Sequence, residues 1–276
     1  VPEGDSVYMA ATRLREALAG RVLTTADLRV PRLATADLAG REVTAVVPRG
    51  KHLLTRVSGG WTLHTHLRMD GRWQVYRPGE RWRGGPDWQV RVVLGTEAGA
   101  AVGYRLPVVE LLRTEDEAQA VGHLGPDLLG PDWDPEEALR RLLRQPDRPL
   151  GEALLDQRTL AGIGNVYRCE LCFLRGVTPW TPVGEVDRPG RLLDLAHRAL
   201  DANKLRYGHV TTGDTRPGRR HWVYGRAGQP CLRCGTTVAV AEREDPSLER
   251  ITYWCPVCQR GPSPVPRTPR RGLPRR

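Results

Sequence analysis

The chain of 276 residues has no run approaching the roughly 18 consecutive apolar residues of a membrane span, which excludes an ordinary transmembrane helix. It lacks a basic segment followed by an apolar stretch near its start, so no secretory leader is expected and the cytoplasm is favoured. An acidic excess is also missing. Lys and Arg number 42 against 32 Asp and Glu, a net charge of +10 with arginine dominating the basic set. Five arginines and no acid lie in 261–276, so about half of that excess belongs to the tail and +5 to the body. No internal repeat is visible, which excludes a solenoid or propeller. What remains, with 39% hydrophobic and 27% charged residues, is a soluble globular chain of one large or two ordinary domains. Its basic body suits a polyanionic partner, because cationic side chains on phosphates release counterions, and arginine suits forked contacts to them.

The local patterns change along the chain. Residues 5–19 read as a helix, with Asp5 as N-cap, one apolar face at Val7, Ala11, Leu14 and Leu18, and Gly20 at the end. Short β-like runs follow: Glu42–Val47, His52–Val57, Trp61–His66, Arg72–Tyr76 and Trp88–Leu94, separated by turn signals. They predict an antiparallel sandwich or barrel. Beyond Gly125-Pro126-Asp127, helices are expected at about 135–144, 149–160, 166–175 and 188–203. The first is announced by a capping Asp134, Pro135 at the first helical position and acids at 136 and 137. Residues 214–260 return to strands and turns. The fold class expected is therefore α+β: a β-sandwich with an N-terminal helix (1–125), a helical domain (126–213), a cysteine-bearing hairpin (214–260) and a disordered basic tail (261–276). With five prolines and five arginines, the tail is expected to add salt-sensitive, sequence-independent affinity for a polyanion and no chemistry.

Six cysteines form three CxxC pairs. Cys231/Cys234 and Cys255/Cys258 are separated by twenty residues, a spacing that lets each pair fill two corners of a zinc tetrahedron. One structural zinc is expected there, because four thiolates leave no open coordination position. The alternative is four unligated core cysteines, and zinc ribbons also occur in proteins that never touch DNA. Cys169 and Cys172 lie in a predicted helix beside Leu171, Phe173 and Leu174 and are expected to be buried and metal-free. Residues 154–167 form a helix, a glycine-containing turn and a second helix, where turn amides and Asn165 can receive a phosphate or simply make an ordinary packing unit. His64 and His66 share a strand face without an evident third ligand, so structural or DNA-facing roles are expected. Arg216, Arg219 and Arg220 make either a solvated loop or a phosphate clamp.

Taken in order, Pro2-Glu3-Gly4, Arg49-Gly50-Lys51-His52-Leu53, Leu155-Asp156-Gln157 with Gly162-Ile163-Gly164-Asn165, Val223-Tyr224-Gly225-Arg226 and Cys255-Pro256-Val257-Cys258-Gln259 resemble the formamidopyrimidine-DNA glycosylase/endonuclease VIII family, nearest to bacterial endonuclease VIII. The resemblance spans the chain to about Arg260. It implies a β-sandwich, a helix–two-turn–helix module and a zinc finger, with damaged DNA held between domains. It implies base-excision repair by a bifunctional DNA glycosylase and AP lyase acting as a monomer. Pro2 would be the Schiff-base nucleophile, Glu3 the acid at the deoxyribose, and Lys51 a phosphate contact that assists. Asn165 and Arg250 would hold phosphates, and Met69 would fill the gap left by the everted base. A secondary amine at an N-terminal proline has a pKa near roughly 8, so a useful fraction is neutral. The chain as written places Val1 before Pro2, which would make that nitrogen an amide. A literal reading of a GTG start codon accounts for it, with the initiating residue then removed.

Two departures bear on substrate. The helper wedges of the branch that removes 8-oxoguanine are missing from the stretch Tyr104–Val109, and the loop from Thr211 to Val223 is short beside that branch's lesion-capping loop. Both lean toward oxidised pyrimidines. The competing classes are a non-catalytic DNA-binding paralogue, which has no use for Pro2-Glu3 and Lys51, and a zinc-ribbon protein of transcription or translation.

Overall fold

In the computed structural model, residues 2–241 and 251–264 are described. Helix α1 (Gly4–Leu18) buries Val7, Ala11, Leu14 and Leu18, the stripe expected from spacings of three and four, against the first hydrophobic core. The strands that complete this core are β1 (Thr25–Leu28), β2 (Val43–Arg49), β3 (His52–Val57), β4 (Trp61–His66), β5 (Arg72–Tyr76), β6 (Val90–Thr96), β7 (Gly99–Tyr104) and β8 (Val108–Arg113). They make two antiparallel four-stranded sheets, ordered β1-β6-β7-β5 and β2-β3-β4-β8. Leu53 and Leu63 from one sheet meet Leu94 and Ala101 from the other in that core. The stretch Tyr104–Val109 is the β7–β8 turn and the start of β8, with Leu106 and Val109 buried in the sandwich.

The second half of the chain is helical: α2 (Glu117–Val121), α3 (Pro135–Leu142), α4 (Leu150–Leu155), α5 (Asn165–Arg175) and α6 (Pro189–Asn203). Asp134 caps α3 by accepting from the backbone N–H groups of Glu136 and Glu137, both at 3.0 Å. Helix α4 is shorter than the 149–160 expected. Asp156 leaves the helix in an extended conformation and accepts from the Arg158 N–H at 3.0 Å, a local turn that competes with the helical ladder. Residues 157–161 then run beside 125–128, with Gly125 donating to Gln157 O and Ala161 to Pro126 O. This frees residues 156–164 to form a tight turn ahead of α5.

Helix α5 is buried along most of its length and separates two cores. Tyr167, Leu171 and Cys172 face the helical core with Leu154, Ile163 and Leu193. Cys169 and Phe173 face a third cluster with Val223, Val238 and Cys255. Burial pushes both the Cys169 and Cys172 thiols up, away from the thiolate that redox or metal chemistry needs. In the C-terminal hairpin, β9 (Ala239–Ala241) pairs antiparallel with β10 (Thr252–Trp254). The hairpin returns to α5 through Arg260 N–H to Gly176 O at 2.8 Å and Thr178 N–H to Arg260 O at 2.9 Å. Thr178 Oγ1 donates to Pro262 O, so the chain stays docked past Arg260. Residues 265–276, the greater part of the expected basic tail, lie outside the described residues. No helix among the described residues is long and apolar enough to cross a membrane.

Candidate active site and nucleic-acid interface

The three residues ahead of α5 collect the functional groups that the sequence scatters. Glu3 occupies the N-cap position of α1 but makes no side-chain cap there. Its fully buried carboxylate instead accepts from Gly164 N–H and Val166 N–H, each at 2.6 Å, and from Tyr167 N–H at 3.4 Å. The starts of two helices thus meet at one anion, where unsatisfied amides and helix dipoles favour negative charge. Next along the turn, Ile163 O accepts from Lys51 Nζ at 2.5 Å and from Gln157 Nε2 at 2.9 Å. Gly162 O accepts from Gly4 N–H at 2.9 Å, and Gly162 N–H donates to Gln157 Oε1 at 3.0 Å. Glu3 and Lys51 are therefore held by adjacent residues of a single turn.

So close an approach leaves no room for side chains. A Cβ on Gly164 would lie 2.5 Å from Glu3 Cδ, and one on Gly4 would lie 2.9 Å from Gly162 Cα. Lys51 reaches the turn because Gly50 and Lys51 form a two-residue hairpin between β2 and β3, with Gly50 at φ +57°. Gly50 N–H donates to Asp127 Oδ2 at 2.7 Å, and Arg49 bonds Asp132 and Gly125 O, pinning the hairpin tip to the helical half. Burial raises the Asp127 carboxyl above its ordinary value against the pull of these donors.

A second layer of buried carboxylates was not identified by sequence reasoning. Asp5, expected as an N-cap, lies in the first turn of α1 and accepts from Tyr167 OH at 2.7 Å, with His209 Nδ1 at 2.8 Å. Burial and the neighbouring Asp5 charge push the Tyr167 phenol up, so it stays a donor. Glu170, also fully buried, accepts from the N–H groups of Trp222, Val223 and Tyr224 at 2.7, 2.9 and 2.8 Å, and from the Thr211 hydroxyl. Through Tyr167 and Glu170, α5 fixes the segments on either side of the 211–223 loop. The only hint in the sequence was Glu170, a single acid among the apolar residues of a predicted buried helix.

Pro2 lines a cavity of about 500 Å³ with Ser6, Arg13, Arg72 and Gln74. Met69 stands in the β4–β5 turn, 63% exposed, beside Arg68 at φ +46°. That turn is braced by Arg68 N–H donating to His66 Nδ1 at 2.9 Å and Gly71 N–H donating to Leu67 O at 2.8 Å. Asn165 opens α5; its Nδ2 donates to Ile251 O at 2.9 Å, while its buried Oδ1 has no hydrogen-bond partner among the described residues. Arg250, next to Ile251, lies outside the described residues. Arg216 and Arg219 both pair with Asp214, so part of the basic cluster is internally paired within an exposed loop.

Cys231, Cys234, Cys255 and Cys258 bring their sulfurs within 4.8 Å of one another and could hold a metal ion. The Cys231–Cys258 and Cys234–Cys255 sulfur separations are 3.9 and 3.5 Å. They bracket the roughly 3.8 Å edge of a tetrahedron with zinc–sulfur bonds of about 2.3 Å. Arg233 N–H and Cys258 N–H point at the Cys231 and Cys255 sulfurs, each at 3.4 Å, which suits thiolate ligands.

Residues 1–105 match the formamidopyrimidine-DNA glycosylase N-terminal domain, and residues 124–200 match the formamidopyrimidine-DNA glycosylase H2TH domain. The chain belongs to the formamidopyrimidine-DNA glycosylase family. Within that family it is 65% identical to a Streptomyces coelicolor protein named probable endonuclease 8 2, over 96% of each chain. It is 50% identical to endonuclease 8 2 of Mycobacterium tuberculosis and 35% identical to endonuclease 8 of Escherichia coli, in each case over 94% of this chain and all of the relative. Its fold is that of the Lactococcus lactis Fpg in complex with abasic-site DNA, at a TM-score of 0.78 and 22% identity over 94% of this chain and all of that one.

Four of the seven histidines, His52, His64, His66 and His123, cluster around the start of β3 and the end of β4. His52 Nδ1 lies 2.9 Å from His64 Nε2, and His64 Nδ1 lies 3.0 Å from Glu110 Oε2. The His66 and His123 rings meet His52 edge-on. Among the described residues the four cysteines, not these histidines, have metal-binding geometry. Burial, reinforced by neighbouring imidazoles and Lys51, lowers His52 to about 3; burial with Arg68 and Lys51 lowers His66 to about 4. An unfolded chain takes up these protons near pH 6.5, whereas the folded chain does so only near pH 4 and 3. Stability is therefore full above pH 6.5 and falls as pH drops below it, by about 1 kcal/mol per pH unit for each imidazole. Denaturant unfolding at pH 7.5 and pH 5.0 is expected to show this loss, with a shallower slope in His52→Gln. A wild-type stability that does not change over that range contradicts the burial of these rings.

Proposed function

We propose that the chain is a base-excision-repair DNA glycosylase and AP lyase that acts through the amine of Pro2 once the preceding residue is removed. The observation that carries this reading is the turn 162–164, which holds Glu3 and Lys51 on adjacent residues beside the Pro2 cavity. In the reaction, the proline nitrogen donates its lone pair to C1′ of the damaged nucleotide. The glycosidic bond breaks with its electrons leaving on the base, which takes a proton. The attacking nitrogen gives up its proton, and its lone pair then drives opening of the C1′–O4′ bond, with protonation of O4′, to give the iminium. Loss of a proton from C2′ then expels the 3′ phosphate, and water releases the unsaturated sugar from the proline.

Glu3, next to Pro2 and positioned by the N–H donors at the start of α5, acts as the acid at the deoxyribose, close to the charge that develops at C1′ and nitrogen. Lys51 keeps its ammonium at the same turn, where it faces phosphate and sugar oxygens. Asn165 and Arg250 meet the backbone of the damaged strand, and Met69 enters the stack where the base has left. Cys231, Cys234, Cys255 and Cys258 would hold one zinc ion, which when bound ties the hairpin into a rigid arm and takes no part in the chemistry. The protein works as a monomer on damaged DNA in the cytoplasm.

Borohydride reduction on DNA carrying an abasic site tests the proline mechanism: a covalent adduct is expected with protein whose intact mass begins at Pro2, and none with Pro2→Ala. Full lyase activity in protein that keeps a residue before Pro2 rules the mechanism out. For the metal, Cys255→Ser is expected to lose zinc and weaken DNA binding, while Cys169→Ser keeps a full equivalent by elemental analysis. Zinc loss in Cys169→Ser overturns the ligand assignment. Because the 104–109 turn carries no helper wedges and the 211–223 loop is short, oxidised pyrimidines are expected to be excised faster than 8-oxoguanine opposite cytosine. Equal or faster release of 8-oxoguanine from duplex DNA refutes that preference.

A further inference from the structure

The Pro2 cavity lies between the first turns of α1, strand β5 and a loop outside both the H2TH turn and the hairpin: residues 204–208, after α6. This loop reaches the cavity through Tyr207. The 211–223 loop does not line it. That loop folds back on itself, with Thr211 N–H donating to Arg220 O at 2.9 Å, Thr212 Oγ1 to Arg219 O at 2.5 Å, and Arg216 and Arg219 gripping Asp214.

The 204–208 loop is held in place before any ligand arrives. The Asn203 side chain closes its base by bonding both Val210 O and Val210 N–H, at 3.0 and 2.9 Å. The Lys204 ammonium lies 5.3 Å from the centre of the Tyr8 ring, and His209 meets Asp5 at 2.8 Å. Arg13 donates to the Tyr207 hydroxyl and sets its guanidinium 4.4 Å from the ring centre. Three positions along α1 thus hold a loop whose aromatic residue is 70% exposed. A large exposed ring already fixed at its hydroxyl and covered on one face loses little freedom when a second planar group stacks on it.

We propose that Tyr207 is a specificity-determining residue, its ring stacking on the everted oxidised pyrimidine in the cavity beside Pro2, while Ser6 and Gln74 supply polar groups at the base's edge. This rests on the glycosylase reading above and deepens it. An abasic site has no base to stack, so Tyr207 separates two steps that share the same proline.

The test uses the full chain in single-turnover assays on matched duplexes, one carrying 5-hydroxyuracil and one a preformed abasic site. Tyr207→Ala is expected to slow base release at least about tenfold more than it slows strand cleavage at the abasic site, the scale of one lost base–aromatic stack. Tyr207→Phe, which keeps the ring, stays within about threefold of wild type for base release. Equal slowing of both reactions by Tyr207→Ala, or no slowing of either, overturns the proposal, as does loss of base release in Tyr207→Phe equal to that in the alanine variant. Failure of the underlying reading looks different: wild-type protein would release no damaged base at all, which overturns both.

Discussion

The carboxylate of Glu3 is bonded to amides 161 and more residues away, and the rest of the site is arranged around that contact. Glu3 is fully buried, and its carboxylate oxygens find their hydrogen-bond donors in the backbone at the start of α5. To present them, the chain has to leave α4 early at Asp156, turn through glycines at 162 and 164, and begin α5 at Asn165. Gly4 and Gly50 follow from the same constraint, since a β-carbon at either would push the sandwich away from the turn. The junction is thus an ionic contact whose tolerances are set by backbone packing, and the cavity beside Pro2 inherits its position from it.

Helix α5 transmits this arrangement outward. Tyr167 connects it to Asp5 in α1, Glu170 to the backbone of 222–224, and Asn165 and Arg168 to the hairpin at Ile251 and Thr252. One helix therefore touches the catalytic end, the segment after the 211–223 loop and the finger, with buried polar groups at each junction. Breaking one partner leaves a desolvated charge or donor behind, which is why such networks hold a specific geometry more firmly than apolar contacts alone do.

Much of this was legible in the residues. Asp134-Pro135 marks the start of α3, the apolar stripe of α1 is in place, and the paired cysteines come together at the spacing their sequence suggests. The family resemblance picked out Pro2, Glu3 and Lys51, but neither spacing nor composition indicated that Glu3 spends its oxygens on α5. Asp5 was misread as a cap because a helix-starting Asp usually serves its own helix, whereas here tertiary partners outcompete the local amides. Strand β7 was missed for a physical reason. Its sequence, Gly99-Ala-Ala-Val-Gly-Tyr104, has little β-propensity, and it is a strand because it lies in the middle of a sheet where bulk is excluded: a Cβ on Gly103 would sit 2.4 Å from Leu106. Glu170 and Asp127 were likewise invisible, since their roles depend on which distant backbone amides end up facing them.

The length of chain between Glu3 and α5 has a consequence for biogenesis. During synthesis the first residues emerge long before their receptor does, and the sandwich strands can pair while Glu3 still lacks the amides it needs. Loop closure of this span is entropically slow and favours late docking of the first segment. The contact of Glu3 with the start of α5 is therefore expected among the later ones to form.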